Sequence, residues 1–314
     1  MVQLVERRKW YFLLSALIII PGLVAMIYST ITTGLPFKLA IDFTGGAIWE
    51  LQFDQAVQPA VLREVFVDAG YSDTTVTTLG DGLMAQVRLK SIDETEKVAL
   101  ISAVKARFGE DVAEVQFSSV GPAIGREVTQ AAVLAVIAAS LAILAFLVVA
   151  FRKVSHPFRY GVSAIAAMIH DILVTAGVFS ICSLVFGWEA DALFLTAILT
   201  VIGFSVQDTI VVFDRIRENS PKNSPKYRGE SFGAIANRSL LETIHRSLAT
   251  QLNALFVMAA LLLFGGATIK QFIAVMFYGL ISGTYSSIFN AVPILVGWEE
   301  RDLFGTRKRQ AEAA

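Results

Sequence analysis

The chain has 314 residues, 55% of them hydrophobic and 17% charged, against about 45–50% and about 25% in soluble domains. That balance excludes an ordinary soluble protein and leaves room for several membrane spans plus one small polar domain. The formal net charge is −1, and the chain carries a single cysteine, Cys182, and three scattered histidines, His156, His170 and His245. These cannot assemble a disulfide framework, a thiol metal cluster or a zinc site, and no GxxxxGK[ST] loop is present to cradle nucleotide phosphates. Direct ATP hydrolysis and a zinc site are therefore not expected, and no cofactor, enzymatic activity or nucleic-acid partner is assigned to the chain.

A basic start (Arg7, Arg8, Lys9) precedes an apolar run from Trp10 to about Ile31, long enough to span a bilayer and too long for a signal-peptide core. It is read as a retained first helix. Five more runs follow, at about Thr129–Phe151, Tyr160–Phe186, Ala192–Phe213, Arg246–Phe264 and Phe272–Trp298. Lysine and arginine near span ends favour the cytoplasm. The amino-terminal tail, the link with Arg152, Lys153 and Arg159, the link with Arg215, Arg217, Lys222, Lys226, Arg228 and Arg238, and the tail with Arg307, Lys308 and Arg309 are all basic. Both termini are thus expected in the cytoplasm, with four parts to the chain: 1–34 (tail and first span), 35–127 (outer segment), 128–298 (five spans) and 299–314 (tail).

The segment Leu35 to Glu127 carries 8 Lys/Arg against 14 Asp/Glu, a net charge of −6. Ala47–Asp54 alternates like a strand, and Ala56–Ala69 has helical spacing. Thr74–Leu79 and Leu83–Lys90 read as strands across a Gly80-Asp81-Gly82 turn. Glu94–Phe108 reads as an amphipathic helix and Val112–Val120 as a last strand. The order βαββαβ predicts a ferredoxin-like sandwich with two helices on one sheet face. The fold class expected is therefore a six-helix membrane bundle plus a small α+β domain.

One stretch stands out, Thr200 to Asn219 (TVIGFSVQDTIVVFDRIREN). An ionisable side chain within a span is a functional-site hypothesis by default. At helical spacing Val201, Ser205, Asp208, Val212 and Arg215 share one face, which is expected to look into the bundle. On the fifth span Glu242, Arg246, Thr250 and Asn253 share a face, which makes Arg246 the expected neighbour of Asp208. A carboxylate balanced between an arginine and an apolar setting can load and release a proton. His170 and Asp171, in the middle of the third span, form a second buried pair, fit either for a proton relay or for a structural hydrogen bond. Gly279 and Gly283 have GxxxG spacing and read as a helix-packing face, followed by Thr284 to Ser287 and Asn290. After the first span, Ile41 to Gly46 (IDFTGG) ends in two glycines that permit an unusual turn and a close approach.

Taken together, IDFTGG, IHDIL, VIGFSVQDTIVVFDRIREN, NRSLLETIHRSLAT, LFGG and GLISGTYSSIFNAVPIL resemble the SecD/SecF family of bacterial protein-export subunits, which is similar in design to transporters of the resistance-nodulation-division superfamily. The resemblance implies a motor without ATP in the bacterial plasma membrane. Proton flow would drive outer domains that hold or pull a preprotein emerging from the Sec channel, SecYEG. It implies Asp208 as proton carrier with Arg246 beside it; Ser205, Thr250, His170 and Asp171, singled out by position and spacing above, and Gln207 are secondary candidates. Asp214, Arg215, Gly45 and Gly46 match positions of subunit or structural contact, and Asp42 and the packing glycines Gly279 and Gly283 are grouped with them as expected contacts. Gln207 stands where the family commonly has Asn, the link from Glu218 to Arg238 is longer than expected with its two Ser-Pro pairs, and SLATQLNA is less typical. Six spans make one transport half, so a separate SecD is the expected partner. A half-exporter of lipid or small molecule, or a purely structural assembly subunit, are the other readings.

Overall fold

The computed structural model describes residues 3–152, 154, 156–220 and 229–303, with the side chains of 267 and 268 left aside. Lys153, the basic and Ser-Pro positions at 221–228 and the tail residues Arg307, Lys308 and Arg309 lie outside the described residues. The chain divides into two compact units, Leu39–Leu134 on one side and Met1–Lys38 with Ala135–Ala314 on the other.

In the smaller unit, β1 (Gly46–Gln52) is the central strand, because it places an apolar residue on every second position: Ala47, Trp49 and Leu51 are fully buried. Ala85, Val87 and Leu89 of β3 (Met84–Leu89) face the same way, opposite Leu51, Trp49 and Ala47 in register. Two helices, α3 (Pro59–Asp68) and α4 (Glu94–Phe108), bring Leu62, Phe66, Leu100 and Val104 into one core with them. Two edge strands complete a four-stranded antiparallel sheet in the order β2-β3-β1-β4, namely β2 (Thr75–Leu79) and β4 (Ala113–Val120). Asp93 starts α4 through a capping box, accepting from Glu96 N at 2.8 Å while Glu96 Oε2 accepts from Asp93 N at 2.9 Å. The α4 limits and the strand ends at Leu79 and Val120 are those predicted, and the other sequence limits in this unit move by one to three residues.

Where the sequence suggested only a turn, Ile41–Thr44 forms a one-turn helix, α2, closed by Gly45 at φ +74° and Gly46 at φ +121°. A Cβ on Gly45 would lie 2.9 Å from Cα of Pro122, and one on Gly125 would lie 2.8 Å from N of Gly45. Both glycines are thus needed for the loop to lie against the first turn of α5 (Pro122–Ala150), where Thr129 also donates to the carbonyl of Phe43 at 3.3 Å.

In the larger unit the long helices are α1 (Arg8–Thr33), the continuing part of α5, α6 (Pro157–Phe186), α7 (Ala192–Glu218) and α8 (Phe232–Phe264). The last span is α9 (Ala267–Ser286), a π-helical stretch (Ser287–Ala291) and α10 (Val292–Glu299). Among the described residues, six helical segments are long and apolar enough to cross a bilayer, so this is a multi-pass membrane protein. Pro293 has no N–H to give back along the helix, and the turn widens just before it. α9 packs on α6, α7 and α8. As the GxxxG spacing suggested, Gly279 and Gly283 lie on a packing face. A Cβ on Gly279 would collide with Val201, and one on Gly283 would come 3.3 Å from Cα of Ser205. α1 meets α6 still more closely, where a Cβ on Gly22 would stand 2.6 Å from Cα of Gly177.

α8 corrects one sequence limit: it begins at Phe232, capped by Ser231 Oγ accepting from Ala234 N at 3.3 Å, and not near Arg246. The turns from Phe232 to His245 are amphipathic, so an apolar-run reading misses them although they continue the same helix.

Candidate functional site

α7 turns Val201, Ser205, Asp208 and Val212 inward, as the spacing predicted, while Arg215 and Gln207 stay accessible. Asp208 is 5% exposed, and its Oδ2 accepts from Nε2 of Gln251 at 2.5 Å. Gln251 was not singled out in the sequence. The buried face of α8 is Ser239, Thr243, Ser247 and Gln251, a run of polar residues four apart. Arg246 and Thr250 are exposed, and the Thr250 hydroxyl donates to the Arg246 carbonyl at 3.0 Å. The expected Asp208–Arg246 neighbourhood is therefore replaced by Asp208–Gln251. The physical reason is angular, since residue 246 lies roughly 140° around a helix from residue 251.

Asp171 is the second buried carboxylate, 1% exposed. Its Oδ1 accepts from Ser282 Oγ at 2.7 Å and lies 3.0 Å from His170 Nδ1, while its Oδ2 accepts from Ser205 Oγ at 2.5 Å and Ser286 Oγ at 2.6 Å. Three helices, α6, α7 and α9, meet on this one side chain. An ionised carboxylate offers about four lone-pair sites, and four neighbours occupy them. Asp208 is served by one amide among the described residues. The two carboxylates are thus chemically distinct, one saturated with partners and one not. Ser205 lies between them: it donates to Asp171 and sits one turn before Asp208 on the same face of α7. Nothing in sequence spacing links Asp171 to Ser282 or Ser286, more than a hundred residues away.

Around this centre His170 stands 6.0 Å, ring to ring, from Tyr285, whose hydroxyl donates to the Tyr11 carbonyl at 2.7 Å. Asn290 donates through Nδ2 to Ser15 at 3.0 Å. Toward the far end of α7, Arg215 pairs with Glu242 at 2.6 Å and Glu218 at 2.8 Å, and Asn219 donates to Ser239 Oγ at 3.0 Å. Asp214 pairs with Arg217 at 2.6 Å. Arg215 therefore ties the α7 end to α8 through Glu242, while the Asp214–Arg217 pair lies within α7. Asp42 lies in α2 with Gly45 and Gly46 after it. Among the described residues no group of three or more His, Cys, Asp or Glu could hold a metal ion.

Among the described residues, six apolar spans around buried, hydrogen-bonded carboxylates define a multi-pass membrane protein with polar centres between its helices. The chain belongs to the SecD/SecF family. Residues 100–301 match the model described as "Protein export membrane protein SecD/SecF, C-terminal", and residues 30–57 match the "SecD/SecF GG Motif". It is 47% identical to the protein translocase subunit SecF of Thermobaculum terrenum, covering 100% of this chain and 99% of that one. It is 44% identical to that of Anaerolinea thermophila, with coverage of 100% and 99%. The crystal structure of SecDF from Thermus thermophilus, described as a translocon-associated membrane protein, is similar at 30% identity and a TM-score of 0.74, covering 94% of this chain and 38% of that longer one.

Proposed function

We propose that this chain works with SecD to couple proton flow across the membrane to late steps of polypeptide translocation through the SecYEG channel. The observation that carries the reading is Asp208, a carboxylate buried within a span and held by a single amide donor, in the middle of the family's fourth-span motif. An intramembrane carboxylate left with acceptor capacity is suited to take up and release a proton. Both termini lie in the cytoplasm, and the acidic segment 35–127 lies outside, where it contacts preprotein or the partner that does. Its strand order, β2-β3-β1-β4 with two helices against the buried face, favours the ferredoxin-like assignment.

A partner half is supported by the spans themselves. Gln207 on α7 and Arg246, Thr250 and Asn253 on α8 are exposed in this chain, and polar groups turned to lipid are costly. A second transport half covering them removes that cost, and the similar SecDF chain, more than twice as long, carries both names. Arg246 then serves the proton path from the face shared with SecD, with Thr250 and Gln207 beside it. Asp171, held by four partners, is assigned a structural place, with His170 as one of its ligands.

The test is the processing rate of a secreted precursor in cells holding wild-type or Asp208→Asn protein at matched membrane abundance, with and without an uncoupler. Slow late export with Asn, to which the uncoupler adds little, is the expected result. Normal export with Asn refutes the motor and leaves an assembly subunit or an exporter of something else.

A further inference from the structure

Resting on the proton-carrier reading of Asp208, we infer that Gln251 is the side chain that answers its protonation state, and that Ser247, one turn nearer the amino-terminal end of α8, is the next group on the route. Two independent observations carry this. Gln251 is 3% exposed and has Asp208 Oδ2 as its hydrogen-bond partner. One turn away on the same buried stripe, Ser247 is 3% exposed and its Oγ has no partner among the described residues. Buried hydroxyls are ordinarily satisfied, and a structural serine on a helix commonly bonds the preceding turn, as Thr243 does to Ser239 O at 3.0 Å and Ser239 does to Ile235 O at 2.8 Å. The Ser247 hydroxyl is free to serve another group.

The amide is suited to both states of the acid. An ionised carboxylate can only accept, and it takes Nε2–H. A protonated one also donates, and Oε1 of the same amide can accept that O–H after a half-turn about the terminal torsion, which is broad and roughly two-fold. The only covalent change is at Asp208, where one O–H bond forms or breaks; the proton comes from water and returns to it. The other titratable groups nearby are Asp171 and His170 of α6, reached through Ser205, and Tyr285 of α9, which lies against His170, while Arg215, Glu218 and Glu242 gather toward the other end of the stripe. None of them replaces Gln251 on Asp208.

The test is proton flux into proteoliposomes holding the chain with its SecD partner, read with an entrapped pH dye under an imposed gradient. Gln251→Met keeps the volume and removes both polar ends, and flux falls about tenfold, the size of one charge-assisted hydrogen bond. Gln251→Glu, which can again donate and accept when protonated, recovers most of the wild-type flux. Ser247→Ala removes an unpartnered hydroxyl at no cost to folding and slows flux several-fold. Equal flux for the Met and Glu variants, or wild-type flux with Ser247→Ala, overturns the inference while an inactive Asp208→Asn leaves the proton reading intact. Wild-type flux with Asp208→Asn sinks that reading itself. Should Gln251→Met fail to accumulate with its partner, the Ser247→Ala result decides.

Discussion

Replacing Asp171 by alanine removes the acceptor for Ser205, Ser282, Ser286 and His170 at once. The loss is smaller than four times a full hydrogen bond. Helical serines can turn to the carbonyl of the preceding turn, and Ser286 Oγ already lies 3.2 Å from Gly283 O. Each serine then costs about the 0.6 kcal/mol average found for hydrogen bonds in a bundle within lipid. His170 has no such escape. Its Nε2 is buried without a partner among the described residues, so moving the ring proton there gains nothing, and an orphaned donor costs about 1–3 kcal/mol. The sum predicts that Asp171→Ala destabilises the bundle by about 3–5 kcal/mol. Asp171→Asn keeps one carbonyl and asks two hydroxyls to accept, at a cost of about 1 kcal/mol. Unfolding in mixed micelles titrated with sodium dodecyl sulfate measures both. An alanine variant as stable as wild type, or an asparagine variant weaker than the alanine one, refutes the hub.

Gly177→Val places two methyl groups where Gly22 packs backbone to backbone and is expected to destabilise by about 1–3 kcal/mol, with Gly177→Ala milder in the same unfolding assay. Trp49→Ala empties the centre of the small unit, an expected cost of about 3–5 kcal/mol, and limited proteolysis should then cleave between Leu39 and Leu134 at protease levels that leave wild type intact. Asp93→Ala removes half of the α4 capping box, for about 0.5–2 kcal/mol, visible as faster amide exchange over the first turn of that helix. Arg246→Gln, by contrast, alters an exposed side chain and should leave the stability of this chain within about 0.5 kcal/mol whatever it does to export; a larger loss would place the guanidinium in the fold.

The six spans were legible because nothing else explains apolar runs of that length, and the small domain because Ala47, Trp49 and Leu51 alternate without interruption. α8 shows where such reading stops. Glu242, Arg246 and Thr250 are spaced as regularly as Ser239, Thr243, Ser247 and Gln251, and both sets are polar. Which set faces inward depends on how α8 leans on α7 and α9, a property of three helices and not of one. The Asp171 cluster was legible as a pair, because His170 is its neighbour in the chain. Its three serines were not, since they come from two other spans. The glycines at 279 and 283 announced a close contact but not that Val201 and Ser205 would meet them.

α8 is one unbroken helix of 33 residues, roughly 50 Å of rigid rod. Gln251 fixes it to Asp208 partway along, and from there to Phe232 the arm measures roughly 28 Å at 1.5 Å per residue. A tilt of about 5° around that fixed point displaces the far end by about 2.5 Å on that arm. Such a tilt would move the far end, where Gly233 N donates to Glu300 at 2.9 Å, by the size of a side chain, and would move Glu242, halfway along the arm and paired with Arg215, by about half as much.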